Sequence, residues 1–191
     1  VVAAARAALG ARFADFVPGH PIAGSEQSGP AAARADLYRG KKCVLTPVAE
    51  TRADALATVR ALWQATGADV RELAPEQHDR IFAAVSHLPH LAAFALVDEL
   101  AARPDAADFF DYAASGFRDF TRIAGSSPEM WRDIALANRD ALLAELDAYL
   151  AALHALRGAV ETGDGQALAA CFERARVARV DRFVEKPDIE R

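Results

Sequence analysis

The hydrophobic pattern of the chain changes at Pro75, and this change limits the folds that the sequence can adopt. Before Pro75, short apolar runs alternate with glycine and proline. After it, long segments carry apolar residues at helical spacing, and the whole chain is rich in alanine, which favours helix. We therefore predict a mainly α protein, with a small α/β part over residues 1–74 and an all-helical part over residues 75–191.

The part before Pro75 has the pattern of the end of an α/β unit. Its central apolar run ends at Pro47, which is typical of a buried strand, and Gly67 suits the C-terminal cap of the helix that follows. The order strand, helix, strand is typical of such a unit. The elements predicted here are a helix over 1–13, an extended segment over 16–24, a loop over 25–40, a strand over 42–46, a helix over 51–66 and a strand over 68–73.

The part after Pro75 is predicted to form helices over 75–102, over 105–123, from Ser127 onward, along one long segment, and over 166–183. Ser127, Pro128 and Glu129 combine an N-cap, a proline at the first helical position and an acid in the first turn. Apolar residues of the long helix are spaced four and three apart, so they form a seam that packs against another helix, in the same chain or in a partner. This seam consists of Leu142, Leu146, Tyr149, Leu153, Leu156 and Val160.

Charge and composition argue against several classes of protein. The net charge of −5 leaves no basic surface for nucleic acid. No continuous apolar run reaches the ~18 residues of a membrane span and no basic, apolar leader is seen, so we expect a cytoplasmic protein without a membrane segment. Cys43 and Cys171 lie far apart, which fits a reducing compartment. His87 and His90 have no evident third ligand, so we predict no metal site.

One face of the helix over 75–102 carries a stripe of small and polar residues. Asp79, Ala83, Ser86 and His90 share that face. Pro89 lies inside the same helix, lacks a backbone N–H, and is expected to bend the helix there. Such a stripe beside a bend favours a packed cleft, and a solvated face with a tolerated kink is the alternative.

Two further segments carry residues suited to chemistry. His20 lies between a glycine and a proline after an apolar run, which places it at a strand end or tight turn, where α/β folds bind ligands. Its imidazole is a ready general base near neutral pH. Asp119 and Arg122 are three residues apart on a helix anchored by phenylalanines. They form either a surface ion pair or a site where a half-buried arginine receives a carboxylate.

Four stretches carry these residues in a specific order along the chain. They are His20–Glu26, His78–Asp79 with Ser86–His90, Gly116–Ala124, and Ser127–Ile134 with Asn138. Together they resemble the prephenate dehydrogenase family, which includes the arogenate and cyclohexadienyl dehydrogenases.

The resemblance implies that residues 1–74 are the closing part of a Rossmann-type nucleotide-binding domain and that residues 75–191 form an all-helical substrate-binding and dimerisation domain. It also implies a homodimer that uses NAD or NADP to convert prephenate to 4-hydroxyphenylpyruvate by oxidative decarboxylation, with arogenate as the alternative substrate. The sequence contains no G-x-G-x-x-G fingerprint. A non-catalytic helical module for dimerisation or ligand sensing is therefore a second interpretation.

The resemblance further implies roles for individual residues. His20 would take the proton of the substrate's 4-hydroxyl, Ser86 and His90 would contact the substrate, and Arg122 would bind its side-chain carboxylate. A cation on the ring carboxylate would stabilise the ground state and slow the loss of CO2, so we predict that Arg122 faces the side chain. The supporting residues are His87, Asp119, Trp131 and Asn138.

Overall fold

The computed structural model describes residues 1–24 and 33–183. Ser25, Glu26 and half of the predicted loop over 25–40, residues 25–32, lie outside these residues. The chain divides into two compact units, Val1–Leu143 and Ala144–Arg191. The first unit contains the sheet and every residue predicted for the site.

The elements before Pro75 appear in the predicted order, with boundaries that differ by a few residues. They are α1 (Val2–Leu9), a 3-10 helix (Gly10–Asp15), β1 (Gly19–Pro21), β2 (Lys42–Leu45), α2 (Ala53–Ala65) and β3 (Asp69–Glu72). The backbone of Gly67 has φ +83°, and its N–H donates to the carbonyl of Gln64 over 2.9 Å. Glycine adopts this conformation at little cost, so the predicted cap of α2 is confirmed.

The described strands form one sheet in the order β1-β2-β3. β2 and β3 are parallel and are joined by α2, whereas β1 pairs with β2 in the antiparallel sense. Cys43, Val44 and Leu45 are buried in succession, so both faces of the central strand are covered, as in other α/β sheets. His20 pairs with Val44 in this register, which fixes its backbone on the edge strand.

The remaining elements of the described chain are helical. They are α3 (Pro75–Phe82), a π-helical turn (Ala83–His87), α4 (Leu88–Ala101), α5 (Ala106–Asp111), α6 (Ser115–Thr121), a 3-10 helix (Arg122–Gly125), α7 (Pro128–Ala137), α8 (Arg139–Thr162) and α9 (Gly165–Phe183). The predicted start at Ser127 is confirmed, because the Ser127 Oγ accepts from the N–H of Met130 over 3.4 Å.

The segment from Pro75 to Ala101 is helical throughout. The π-helical turn separates its two α-helical parts, α3 and α4. Pro89 follows that turn closely and cannot donate to the carbonyl four residues before it. The bend expected at this proline stays a prediction. The structure has a wider turn just before it, which changes the angular position of every residue after Phe82 relative to an ideal helix.

The same helix is long and apolar enough to cross a membrane, judged by length and composition alone. A core helix in a soluble protein meets the same criterion, so the finding is weak evidence for a membrane span. The prediction of no membrane segment rested on continuous apolar runs and stays a prediction.

The prediction of one helix over 105–123 is wrong. The chain leaves helical geometry after Asp111, and Ala114 is extended, with φ −90° and ψ −176°. Ser115 and Gly116 follow, and both are weaker helix formers than alanine. The break separates α5 from α6, and Arg122 then lies in a 3-10 helix instead of an α-helix.

The apolar seam of α8 is only partly covered in the single chain. Leu142 is buried in the first unit, whereas Leu153 and Val160 are exposed in the second. The exposed positions keep the spacing of a helix that packs against another helix.

We predict that Leu45→Ala destabilises the chain by about 2–5 kcal/mol, because a fully buried leucine loses its contacts and leaves a cavity. Urea unfolding followed by circular dichroism measures this loss. Leu62→Ala is the control, because Leu62 is 64% exposed. Equal losses in the two variants would contradict the placement of the core at β2.

Candidate active site

Four histidines gather where strand β1 meets the helix Pro75–Ala101. They are His20 on β1, His78 on α3, His87 at the end of the π-helical turn and His90 on α4. The charges of His20, His78 and His90 each act on the pKa of His87, so the rings form one electrostatic cluster. Residues far apart in sequence thus share one small region.

Phe82 holds the first pair of rings in place. The ring centroids of His20 and His78 lie 4.8 and 4.5 Å from that of Phe82, which is itself buried. Nδ1 of His20 lies 2.8 Å from Nε2 of His78, which is hydrogen-bond distance. Nδ1 of His78 in turn lies 2.8 Å from a carboxylate oxygen of Asp79.

The environment keeps the imidazoles neutral. Burial lowers the pKa of His20 below its ordinary value, and the nearby charge of His78 lowers it further. Burial is also the main cause that lowers the pKa of His87, followed by the charges of His20 and His78. These rings therefore retain a lone pair at neutral pH, as a general base must.

A second group of residues surrounds His90. Its Nδ1–H donates to the carbonyl of Ser86 over 2.8 Å, and its ring stacks on Trp131 with centroids 3.5 Å apart. Burial lowers the pKa of His90, the hydrogen bond to Ser86 opposes that shift, and the charge of Arg122 lowers the pKa further. The guanidinium of Arg122 therefore acts on the same ring, and the 3-10 helix that carries it packs against α4.

Trp131 brings a hydrogen-bond donor to this group. Its side chain is 8% exposed, and its indole N–H is buried without a hydrogen-bond partner among the described residues. A buried donor of this kind is costly unless it is paired. It is therefore suited to an acceptor group of a ligand.

Asn138 links the end of α7 to the histidine helix, which is the helix Pro75–Ala101 that carries His78, His87 and His90. Its side-chain amide donates to the backbone carbonyl of Asp79 over 2.8 Å and to Nδ1 of His87 over 3.2 Å. This contact leaves the hydrogen of His87 on Nε2, so that His87 presents a donor to its surroundings.

The structure brings most of the predicted site residues together, and their roles stay predictions. His20, His87, His90, Arg122, Trp131 and Asn138 are linked by contacts or by charge. Ser86 takes part through its backbone carbonyl. Asp119 and Arg122 are both exposed, so the half-buried arginine considered for this segment is not found. No described ion pair includes the carboxylate of Asp119.

Sequence reasoning placed His78 and Asp79 in one of the four stretches, and Asp79 also on the polar stripe, but it gave neither residue a role. The signal was the adjacent His78-Asp79 pair, two turns before His87 on the same helix. Ideal helical spacing puts Asp79 on the face of Ser86 and His90. Without knowledge of the π-helical turn, this spacing did not predict that His78 and Asp79 act electrostatically on His87.

Comparison with known proteins gives two family matches. The nucleotide-binding domain of prephenate dehydrogenase matches residues 1–72, and the dimerization domain of prephenate dehydrogenase matches residues 74–174. Cyclohexadienyl dehydrogenase from Zymomonas mobilis is 39% identical over 167 residues, which are 86% of this chain and 57% of that protein. Prephenate dehydrogenase from Bacillus subtilis is 39% identical over 162 residues, which are 84% of this chain and 44% of that protein.

A solved structure agrees with these matches. Prephenate dehydrogenase from Aquifex aeolicus, in complex with hydroxyphenyl propionate and NAD+, superimposes with a TM-score of 0.84 and 40% identity over 92% of this chain and 61% of that one. The chain spans about half the length of the relatives from Zymomonas and Bacillus. The expected architecture, the end of a Rossmann-type domain followed by a helical dimerisation domain, is confirmed. The chain therefore belongs to the prephenate dehydrogenase family.

Proposed function

We propose that the protein containing this chain is an NAD- or NADP-dependent prephenate dehydrogenase, with arogenate as the alternative substrate. Prephenate would lose a hydride and CO2 to give 4-hydroxyphenylpyruvate. The hydroxyl proton that the base removes returns to the same oxygen when loss of CO2 makes the ring aromatic. The observation that carries the proposal is the accessible imidazole of His20, whose pKa is lowered, in a cluster that extends to Arg122 through His90. The names of the Zymomonas, Bacillus and Aquifex relatives support it.

His20 is the proposed general base. Hydride departure from C4 of the substrate ring requires removal of the 4-hydroxyl proton, and an alcohol is a very weak acid. A positioned base contributes about 10²- to 10⁴-fold to such a step. The lowered pKa of His20 keeps the ring unprotonated near neutral pH, and pairing between β1 and β2 fixes its backbone.

Arg122 is proposed to bind the side-chain carboxylate of the substrate. A guanidinium can hold a carboxylate through two parallel hydrogen bonds. On the ring carboxylate, the same cation would stabilise the negative charge that must pass into the ring when neutral CO2 leaves. His90 and the buried indole N–H of Trp131 lie on the same side of the cluster and provide further polar contacts for the side chain.

The nicotinamide of NAD or NADP supplies the hydride acceptor when it is bound. The residues of this chain do not fit the rest of the dinucleotide, because the sequence lacks the glycine-rich turn that approaches the pyrophosphate. We assign no residue of the chain to the cofactor. The described part of the nucleotide-binding domain contributes the sheet that holds His20.

The proposal includes a cytoplasmic homodimer. Cys43 and Cys171 are free thiols, which fits a reducing compartment. The match to a dimerization domain covers all of α8, whose seam residues Leu153 and Val160 are exposed in the single chain. An exposed apolar seam of this kind is suited to a second copy of the chain.

We predict that His20→Asn in the complete gene product lowers kcat by about 10²- to 10⁴-fold and changes KM little, because the base is lost while the binding groups stay. NADH or NADPH formation from prephenate and from arogenate measures the rate. His154→Asn, at an exposed position of α8, is the control. Activity of the His20 variant within a few-fold of the parent would remove the base assignment. If the parent protein shows no activity with either prephenate or arogenate, the result would favour the non-catalytic interpretation.

We predict that Arg122→Ala raises KM by about 10-fold or more, because it removes charge-assisted hydrogen bonds to the substrate carboxylate, each worth about 1.5–3 kcal/mol. Steady-state kinetics with varied prephenate provides the measurement. Arg118→Ala, which removes an exposed guanidinium from α6, should leave KM unchanged. An unchanged KM in the Arg122 variant would place this residue outside the substrate site.

We predict that the protein sediments as a dimer at micromolar concentration and that Leu153→Asp shifts it toward the monomer. A charge in the seam would be buried without a partner on association. Asp147→Asn, which lies outside the seam on the same helix, should not change the sedimentation profile. A monomeric parent would argue against the seam as an interface.

A further inference from the structure

Helix α3 places two polar side chains in series behind the ring of His20. Nε2 of His78 lies 2.8 Å from Nδ1 of His20, and a carboxylate oxygen of Asp79 lies 2.8 Å from Nδ1 of His78. The side chain of His78 is 18% exposed and that of Asp79 is 56% exposed. The carboxylate is therefore hydrated, and His78 is mostly covered, whereas His20 is exposed.

The carboxylate determines where the hydrogens of this series lie. An ionised carboxylate only accepts hydrogen bonds, so Nδ1 of His78 carries a hydrogen. In the neutral ring, Nε2 of His78 is then an acceptor, and Nδ1 of His20 must be the donor. The lone pair of His20 is thereby left on Nε2, the nitrogen that faces away from His78.

The opposite arrangement would disable the base. If His78 carried hydrogens on both nitrogens, Nδ1 of His20 would have to accept, and Nε2 of His20 would carry the hydrogen. Burial of His20 and the mutual effect of the two rings oppose added positive charge at this contact. The other ionisable groups that act on the cluster are His87, His90 and, through His90, Arg122.

We propose that His78 and Asp79 are positioning residues that hold His20 in the Nδ1–H tautomer and so direct its lone pair to the substrate hydroxyl. This inference rests on the proposed function for its catalytic meaning, although the tautomer itself is a property of the chain. When Nε2 of His20 takes the hydroxyl proton, the Nδ1–H of His20 stays hydrogen-bonded to His78. The new positive charge is then shared along a series that ends at the carboxylate.

Two further contacts hold the series in place. Asn138 donates to the backbone carbonyl of Asp79 over 2.8 Å, which anchors this residue to the end of α7. Phe82 packs against both rings and limits their rotation. If the pair of His78 and Asp79 only increased solubility, it would need neither the hydrogen bond from Asn138 nor the packing of Phe82.

The expected kinetic effect is intermediate. A carboxylate that directly orients a catalytic imidazole contributes about 10⁴-fold to kcat in serine proteases. Here the carboxylate acts through a second ring and is half exposed. Asp79→Asn should therefore lower kcat about 10- to 100-fold, as for outer partners of metal-binding histidines, with KM unchanged.

The test measures the tautomer of His20 by long-range ¹H–¹⁵N NMR correlations on the chain at pH 8. We expect Nδ1–H in the parent, a shift toward Nε2–H in His78→Phe, and retention of Nδ1–H in His78→Gln, whose amide oxygen can still accept. Asp79→Asn should weaken the preference. Asp98→Asn, which removes the same charge from an exposed position of α4, should not.

The outcomes separate this inference from the proposed function. Nε2–H in the parent, or Nδ1–H retained in both His78→Phe and Asp79→Asn, would overturn the inference even if the gene product is an active dehydrogenase. The expected tautomers in a gene product inactive on prephenate and arogenate would leave the positioning intact and overturn the function. If His78→Phe does not fold, Asp79→Asn and its Asp98 control decide the question alone.

Discussion

The contact between His20 and His78 joins the two kinds of structure in this chain, the sheet edge and the long helix. It is a 2.8 Å hydrogen bond between groups 58 residues apart in sequence. The backbone of β1 is fixed by pairing with β2, and Phe82 packs against both rings, so the contact ties the helix Pro75–Ala101 to the edge of the sheet. The positions of His87 and His90 follow, because they lie on the same continuous helix.

The π-helical turn determines which side chains of that helix share the site. An ideal helix from Pro75 would put Asp79, Ser86 and His90 on one face. The wider turn over Ala83–His87 brings the ring of His87 into the cluster and leaves Ser86 to act through its carbonyl. π-helical turns are frequent at functional sites, and here the following proline gives a local reason for one.

Much of the fold followed from the sequence, because strong local signals mark most elements. Pro47, Gly67 and Ser127 each stop or start an element in the predicted way. The break between α5 and α6 was missed because apolar residues continue through it, and only a weak signal at Ser115 and Gly116 marks the interruption. Periodicity reports burial, and it does not report a local change in backbone hydrogen bonding.

The sequence predicted which residues form the candidate site better than it predicted which of them are hydrogen-bonded to one another. The order of the four motifs pointed to His20, His90 and Arg122, and the structure brings these residues into one cluster. The series from Asp79 through His78 to His20 depends on side-chain direction across a tertiary contact, which one sequence does not encode locally. Asn138 was predicted as a supporting residue, and its two hydrogen bonds supply a physical reason for that position.

The sequence distance between the two rings also has a consequence for synthesis and folding. During translation, His20 leaves the ribosome well before the helix that carries its partner, so the base has no fixed tautomer in the nascent chain. Contacts of such long sequence separation form late, because the loop between them must close first. A chain arrested before α3 could form the β1–β2 hairpin and still lack an oriented proton acceptor.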